Sequence, residues 1–108
     1  QVLDTIAQML GPIGNKIRLV GHTSNVPSAN PMYPTNWELS LARATSVAKY
    51  LINSGIAPDR LIICGQGEYA PVFPNDTQQH QELNARVEII IIYKVDSNVI
   101  SLPPSVNT

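Results

Sequence analysis

The sequence predicts one α/β domain, and three stretches of the chain carry that prediction. Ile17–Val20 is a short apolar run that reads as a strand and is closed by Gly21. From about Asn36 to Asn53 apolar residues recur at helical spacing, and Leu61–Cys64 is again a short apolar strand. Strand, helix, strand in that order implies a right-handed crossover joining parallel neighbours. A chain of 108 residues is enough for one modest hydrophobic core.

Ahead of this unit, Val2, Leu3, Ile6, Ala7 and Leu10 share one helical face, and Gly11-Pro12 ends that helix. No capping residue precedes it, so an upstream segment, such as a strand, is expected to belong to the same domain. Residues 22–35 contain Pro27, Pro31 and Pro34, a density that excludes helix and central strand. A connection that long between regular elements is more often functional than not. Thr35 and Glu38 form a capping box, and Gly55 supplies a left-handed stop. Trp37, Leu41, Ala44, Val47, Ala48 and Leu51 predict the buried face of this long helix. Asn36, Ser40 and Arg43 fall at i, i+4 and i+7, a separate polar stripe beside the loop.

Gly65 to Asn75 reads as irregular, and Asp76 is expected to cap a short helix reaching about Leu83. Val87–Tyr93 is apolar on both faces, as expected of a central strand. From Asp96 onward no further charge appears and Pro103-Pro104 interrupts any pattern, which predicts a poorly ordered tail. The expected organisation is therefore a domain over 1–95 and a tail over 96–108.

Composition removes several classes of function. A formal net charge of -1 gives no Lys/Arg excess for neutralising phosphates, so a nucleic-acid surface is not expected. The seven basic residues are scattered and form no polybasic cluster for an anionic membrane. No apolar run approaches the roughly 18 residues of a membrane span, and no signal peptide opens the chain. Cys64 is alone, so it forms no internal disulfide, and its apolar strand predicts core filler.

The polar motifs occur in an informative order. Gly21-His22-Thr23-Ser24-Asn25 is followed by Asn36-Trp37-Glu38-Leu39-Ser40-Leu41-Ala42-Arg43-Ala44. Gly65-Gln66-Gly67-Glu68 with Pro71 comes next, and then Asn84-Ala85-Arg86-Val87-Glu88. This series resembles the OmpA-like peptidoglycan-binding domain over roughly residues 1 to 94. The Asn-Trp-Glu-Leu-Ser wording and the proline-containing loop before it look most like the periplasmic C-terminal domain of MotB- and PomB-type flagellar stator proteins.

That resemblance implies a two-layer α+β sandwich of βαβαβ type, with a mixed sheet and helices on one face. It also implies that the family's first strand lies ahead of Gln1. The family binds the peptide stem of peptidoglycan non-covalently, chiefly through diaminopimelate, and is not enzymatic. In stators this pins an ion channel to the cell wall. Homodimerisation, an ion-channel partner subunit, a periplasmic location and an N-terminal helix in the inner membrane are therefore expected of the parent protein. No cofactor and no metal are implied.

On the same resemblance, Arg43 matches the arginine that grips the diaminopimelate carboxylate. A guanidinium suits that task because it offers a planar fork to a carboxylate; the other reading is an arginine paired with an acidic neighbour. Ser24 departs from the family, which has an aspartate there to pair with the ligand's ammonium. A serine accepts a hydrogen bond but supplies no charge, which implies weaker binding, a substitute acid or a different mode. Thr23 and Asn25 shape the same turn, either for the ligand or simply as turn caps. Asn36, Leu39 and Ser40 are expected as neighbouring contacts. Asn84 and Arg86 match the family's Asn-Arg-Arg-Val segment with Ala85 replacing the first arginine, and Arg86 either reaches the ligand or braces Glu88. His22 is expected to be a hydrogen-bonded structural histidine, and His80 to face solvent.

Three function classes follow: a cell-wall anchor of a stator, an anchor of another envelope protein such as a lipoprotein or secretion component, and a structural domain weakened by Ser24. Catalysis finds little support. Ser24 beside His22 lacks a Gly-x-Ser-x-Gly elbow, and adjacency in sequence makes no triad. Among Glu38, Glu68 and Glu88, which could be imagined as a glycosidase pair, Glu38 is already accounted for by the capping box.

Overall fold

The computed structural model of the protein describes residues 1–93 and 98–105. Three α-helices and three strands alternate in the order α1 (Val2–Leu10), β1 (Lys16–Gly21), α2 (Asn36–Asn53), β2 (Leu61–Gly65), α3 (Gln78–Asn84) and β3 (Val87–Ile92). The sheet order is β2-β1-β3. β1 runs parallel to β2, with Ile17 opposite Leu61, and antiparallel to β3, with Ile17 opposite Ile91. The fold is thus α+β with a mixed sheet, as the motif series implied.

β1 is the centre of the sheet, and Ile17 and Leu19 are fully buried beneath the helices. They join Ala7, Leu10, Ala44, Ala48, Leu51 and Ile56 in one core, with Val87, Ile89 and Ile91 of β3 packed against it. β3 lies at an edge of the described sheet, whereas its apolar run predicted a central strand. Alternation explains the run: Val87, Ile89 and Ile91 serve the core, while Ile90 points to the opposite face and is 39% exposed. Cys64 is likewise only half-buried, on that same open face, and is not core filler.

α1 does have a cap: the Gln1 side chain accepts a hydrogen bond from the Leu3 N–H at 2.7 Å. Glu38 and Thr35 close the predicted capping box on α2. Gly55, at φ 105°, lets the chain turn so that the Ile56 N–H donates to the Leu51 carbonyl at 3.0 Å. α3 is capped by Thr77, whose hydroxyl accepts from the His80 N–H, and not by Asp76. Asp76 instead bonds the His80 ring at 2.6 Å, and that ring stacks on Phe73, so His80 is half-buried.

The expected buried face of α2 is displaced by one residue at its start. Asn36, Ser40, Ala44, Ala48 and Leu51 face the sheet. Trp37 is 51% exposed and stacks on Tyr69 with ring centroids 5.1 Å apart, and Leu41 is 44% exposed. Two glycines show why. A Cβ on Gly21 would sit 1.8 Å from the Ser40 carbonyl oxygen, and one on Gly65 would sit 2.8 Å from the Leu41 nitrogen. The head of α2 therefore lies directly on strand backbone, where only small side chains fit. A tryptophan has no room there. The tail expectation falls partly on residues 96–97 and 106–108, outside the described ones; within 98–105 Val99, Ile100 and Leu102 are exposed.

Candidate functional site

The close contact between α2 and the strand ends shapes the loop that leaves β1. The His22 N–H donates to the Arg86 carbonyl at 2.8 Å and the Thr23 N–H to the Gly67 carbonyl at 2.9 Å. These bonds extend β1 toward both neighbours before the chain turns. The turn is then closed locally: the Thr23 hydroxyl donates to the Ser24 carbonyl, and the Ser24 hydroxyl accepts from the Val26 N–H. Asn36, buried at the first position of α2, donates from Nδ2 to the carbonyls of Val26 (3.0 Å) and Ser24 (3.4 Å). Its Oδ1 is buried and has no hydrogen-bond partner among the described residues.

Ser40 is fully buried under this turn. Its hydroxyl donates to the Trp37 carbonyl at 2.9 Å and accepts from the Gly67 N–H at 2.9 Å. It ties the loop after β2 to the head of α2 and offers no surface to a ligand, contrary to the expectation of a contact. Arg43, one turn further along, is half-buried and donates from Nη1 to the His22 carbonyl at 3.3 Å. Its other N–H groups find no acceptor among the described residues, so the reading of Arg43 as half of an ion pair is not met. Leu39, one turn before Arg43, is also half-buried.

Asn84 and Arg86 are consumed by the fold. Asn84 is fully buried; its Oδ1 accepts from the N–H groups of Val72 and Phe73, and its Nδ2 donates to the Phe73 carbonyl and to Asn75 Oδ1. That uses its whole hydrogen-bonding capacity. Arg86 donates to both Glu88 (3.0 Å through Nη2) and the carbonyls of Asn84 and Ala70. Of its two open readings, bracing Glu88 is the one its geometry satisfies.

Glu88 also meets the buried His22 ring, Nε2 to Oε1 at 2.9 Å. Burial alone would raise the Glu88 carboxyl; the hydrogen bonds to His22 and Arg86, with the Arg86 charge, outweigh it and hold the group below its ordinary value. Glu38 is lowered chiefly by the Thr35 hydroxyl. Among the described residues no three His, Cys, Asp or Glu side chains gather at a spacing that could hold a metal ion.

Beside the turn lies an open groove of about 420 Å³, lined by Ser24, Val26, Gln78, Gln81, Glu82 and Ala85. Gln81 Nε2 reaches Asn25 Oδ1 across it at 3.4 Å. The short helix was expected from the sequence, but its place as the wall of this groove was not, because a polar helix of seven residues carries no periodic signal for the face it presents. Ala85 was the available clue: a small residue where the resembling family has arginine leaves this space open.

A mixed sheet, covered on one face by helices and carrying a polar turn clamped at the head of the long helix, defines a binding domain of the OmpA family. The family's profile matches residues 1–85, and the chain belongs to it. Among its relatives, the uncharacterized protein YtxE of Bacillus subtilis (strain 168) is 41% identical over 91 residues, covering 83% of this chain and 38% of YtxE. The chain thus spans well under half of that relative's length. The solved C-terminal domain of Helicobacter pylori MotB superposes with a TM-score of 0.81 at 29% identity, covering 87% of this chain and 73% of that one. The cell wall anchor of the type VI secretion system (T6SS) from Pseudomonas aeruginosa gives 0.77 at 35% identity, covering 86% and 65%.

Proposed function

We propose that this domain binds the peptide stem of peptidoglycan non-covalently and anchors a flagellar stator protein of the MotB type to the cell wall. The observation that carries the reading is Arg43: a half-buried guanidinium, with N–H groups left over, held against the turn at Thr23–Asn25. A diaminopimelate carboxylate arriving there would meet a planar charged fork, and charge-assisted bonds of that kind are roughly twice as strong as neutral ones. Ser24 and Asn25 would frame the ligand, with Leu39 alongside, while Thr23, expected as a contact but buried with its hydroxyl on the Ser24 carbonyl, and Asn36 would hold the turn from beneath.

In this reading residues 1–95 form the binding module, 96–108 are a tail, and the module performs no catalysis. The parent protein would be periplasmic at this end and anchored by an inner-membrane helix. It would act as a homodimer beside its ion-channel subunit. A second reading, the wall anchor of a secretion machine, is favoured by the 35% identity to the Pseudomonas aeruginosa anchor. Both share one site.

A titration with a diaminopimelate-containing stem peptide, followed by backbone amide shifts, tests that site. Shifts centred on residues 23–25 and 36–43 are expected. An unchanged spectrum at millimolar peptide would refute stem-peptide binding.

A further inference from the structure

We infer that Glu82 on α3 supplies the negative charge that Ser24 does not, forming the ammonium subsite of a zwitterionic amino-acid ligand; the inference rests on the stem-peptide reading above. The starting point is a census of acids. Glu38 is tied to Thr35, Asp76 to His80, Glu88 to His22 and Arg86, and Asp4 to the chain's amino group and Tyr50. Each of these carboxylates already has a partner; the Asp59 and Glu68 side chains have none among the described residues, but neither lines the groove beside Ser24. Glu82 has only a long contact at 3.3 Å from the neutral Gln78 amide on its own helix.

The location of Glu82 matters more than its freedom. It is the one ionisable side chain lining the groove that Ser24 and Val26 form with α3. The remaining polar lining, Ser24, Gln78 and Gln81, offers neutral hydrogen-bonding groups. A lone carboxylate among neutral acceptors favours a cation. On the α2 side, Arg43 holds the His22 carbonyl two residues before Ser24 and keeps spare donors for an anion. A free amino-acid end group carries both charges on one carbon, so it is the ligand class that uses a carboxylate and a guanidinium flanking one turn. Gln81 bonding Asn25 fixes α3 to that turn and so sets where Glu82 stands.

The test uses the stem tripeptide ending in diaminopimelate, and the same peptide with the side-chain ammonium acetylated. Glu82→Gln should weaken binding of the first about three- to tenfold, the range for a rim charge contact, and leave binding of the second unchanged. Ser24→Asp in the Glu82→Gln background should restore the loss, and Glu82→Lys should deepen it. Equal affinity of Glu82→Gln and the parent for the free peptide, or an equal loss for both peptides, would overturn the assignment. Loss in Arg43→Ala without loss in Glu82→Gln would overturn Glu82 alone and leave the stem-peptide reading standing. No binding by the unaltered protein would overturn both.

Discussion

Ser40 separates a structural role from a binding role most cleanly, because its motif marks it as a ligand neighbour and its geometry does not. Ser40→Ala removes the acceptor of the Gly67 N–H and the donor to the Trp37 carbonyl, both at 2.9 Å in a fully buried site. The Trp37 carbonyl keeps its place in the helix and loses little. The Gly67 N–H is left buried without a partner, which costs about 1–3 kcal/mol. Nothing larger enters, so no clash adds to this, and about 2 kcal/mol is the expected total. With a urea dependence of about 1–3 kcal/mol per molar, the midpoint should fall by about 1 M with the slope unchanged. Tm should fall by about 8 °C. Stem-peptide affinity, measured well below the new midpoint, should stay within twofold of the parent's. A variant that keeps its midpoint and loses the peptide would refute the assignment of Ser40 to the fold.

Arg43→Ala should do the reverse, lowering stem-peptide affinity at least about tenfold, as expected for a lost charged hydrogen bond, while the urea midpoint barely moves. Gly21→Ala should be among the most damaging substitutions, since its Cβ would lie 1.8 Å from the Ser40 carbonyl and α2 would have to lift off β1. A loss of about 3 kcal/mol or more by denaturation is expected, and a soluble variant of parental stability would be contrary evidence. Glu88 makes the domain acid-sensitive. Its folded pKa lies below its unfolded one, so its stabilisation is complete above the ordinary glutamate value of 4.5 and is lost as pH falls through the depressed folded value. The stability gap between the parent and Glu88→Gln, measured at several pH values, should therefore close on acidification; a gap independent of pH would exclude this ionisation as its source.

The long helix was legible to the residue because three independent signals agreed: the capping box at Thr35 and Glu38, apolar spacing, and the Gly55 stop. The parallel crossover followed from element order alone. What failed was the assignment of faces. Trp37 is more apolar than Asn36, so hydropathy puts it inward, but the packing distance at Gly21 and Gly65 is set by strands far away in sequence. That long-range constraint reverses the two residues. The same limit applies to β3, where an apolar run reports two faces and not the number of neighbours. In the candidate site, motif order led to the expectation that Arg43 stands beside the turn, and it bonds the His22 carbonyl there, while Ser40, Asn84 and Arg86 share those motifs yet serve the scaffold. A motif marks residues that act together; only hydrogen-bond partners show which of them the fold consumes.

The scaffold role of these residues bears directly on binding. The turn at Thr23–Asn25 is tied to β3 through His22 and Arg86, to the β2 loop through Thr23 and Gly67, and to α2 through Asn36. Arg43 adds a fourth tie at the His22 carbonyl. A flexible turn would have to be ordered when a ligand arrives, at about 0.5–1.5 kcal/mol for each immobilised side chain. Here the ordering is completed on folding and is supported by the buried Ser40, through Gly67, and by the His22–Glu88–Arg86 chain. A small zwitterion makes few contacts, so removing that cost decides whether it binds usefully at all. On the proposed reading, the buried polar groups beneath the shallow groove hold the turn and the loops beside it, so that Arg43 and Glu82 would present their charges on either side of a turn that is already ordered.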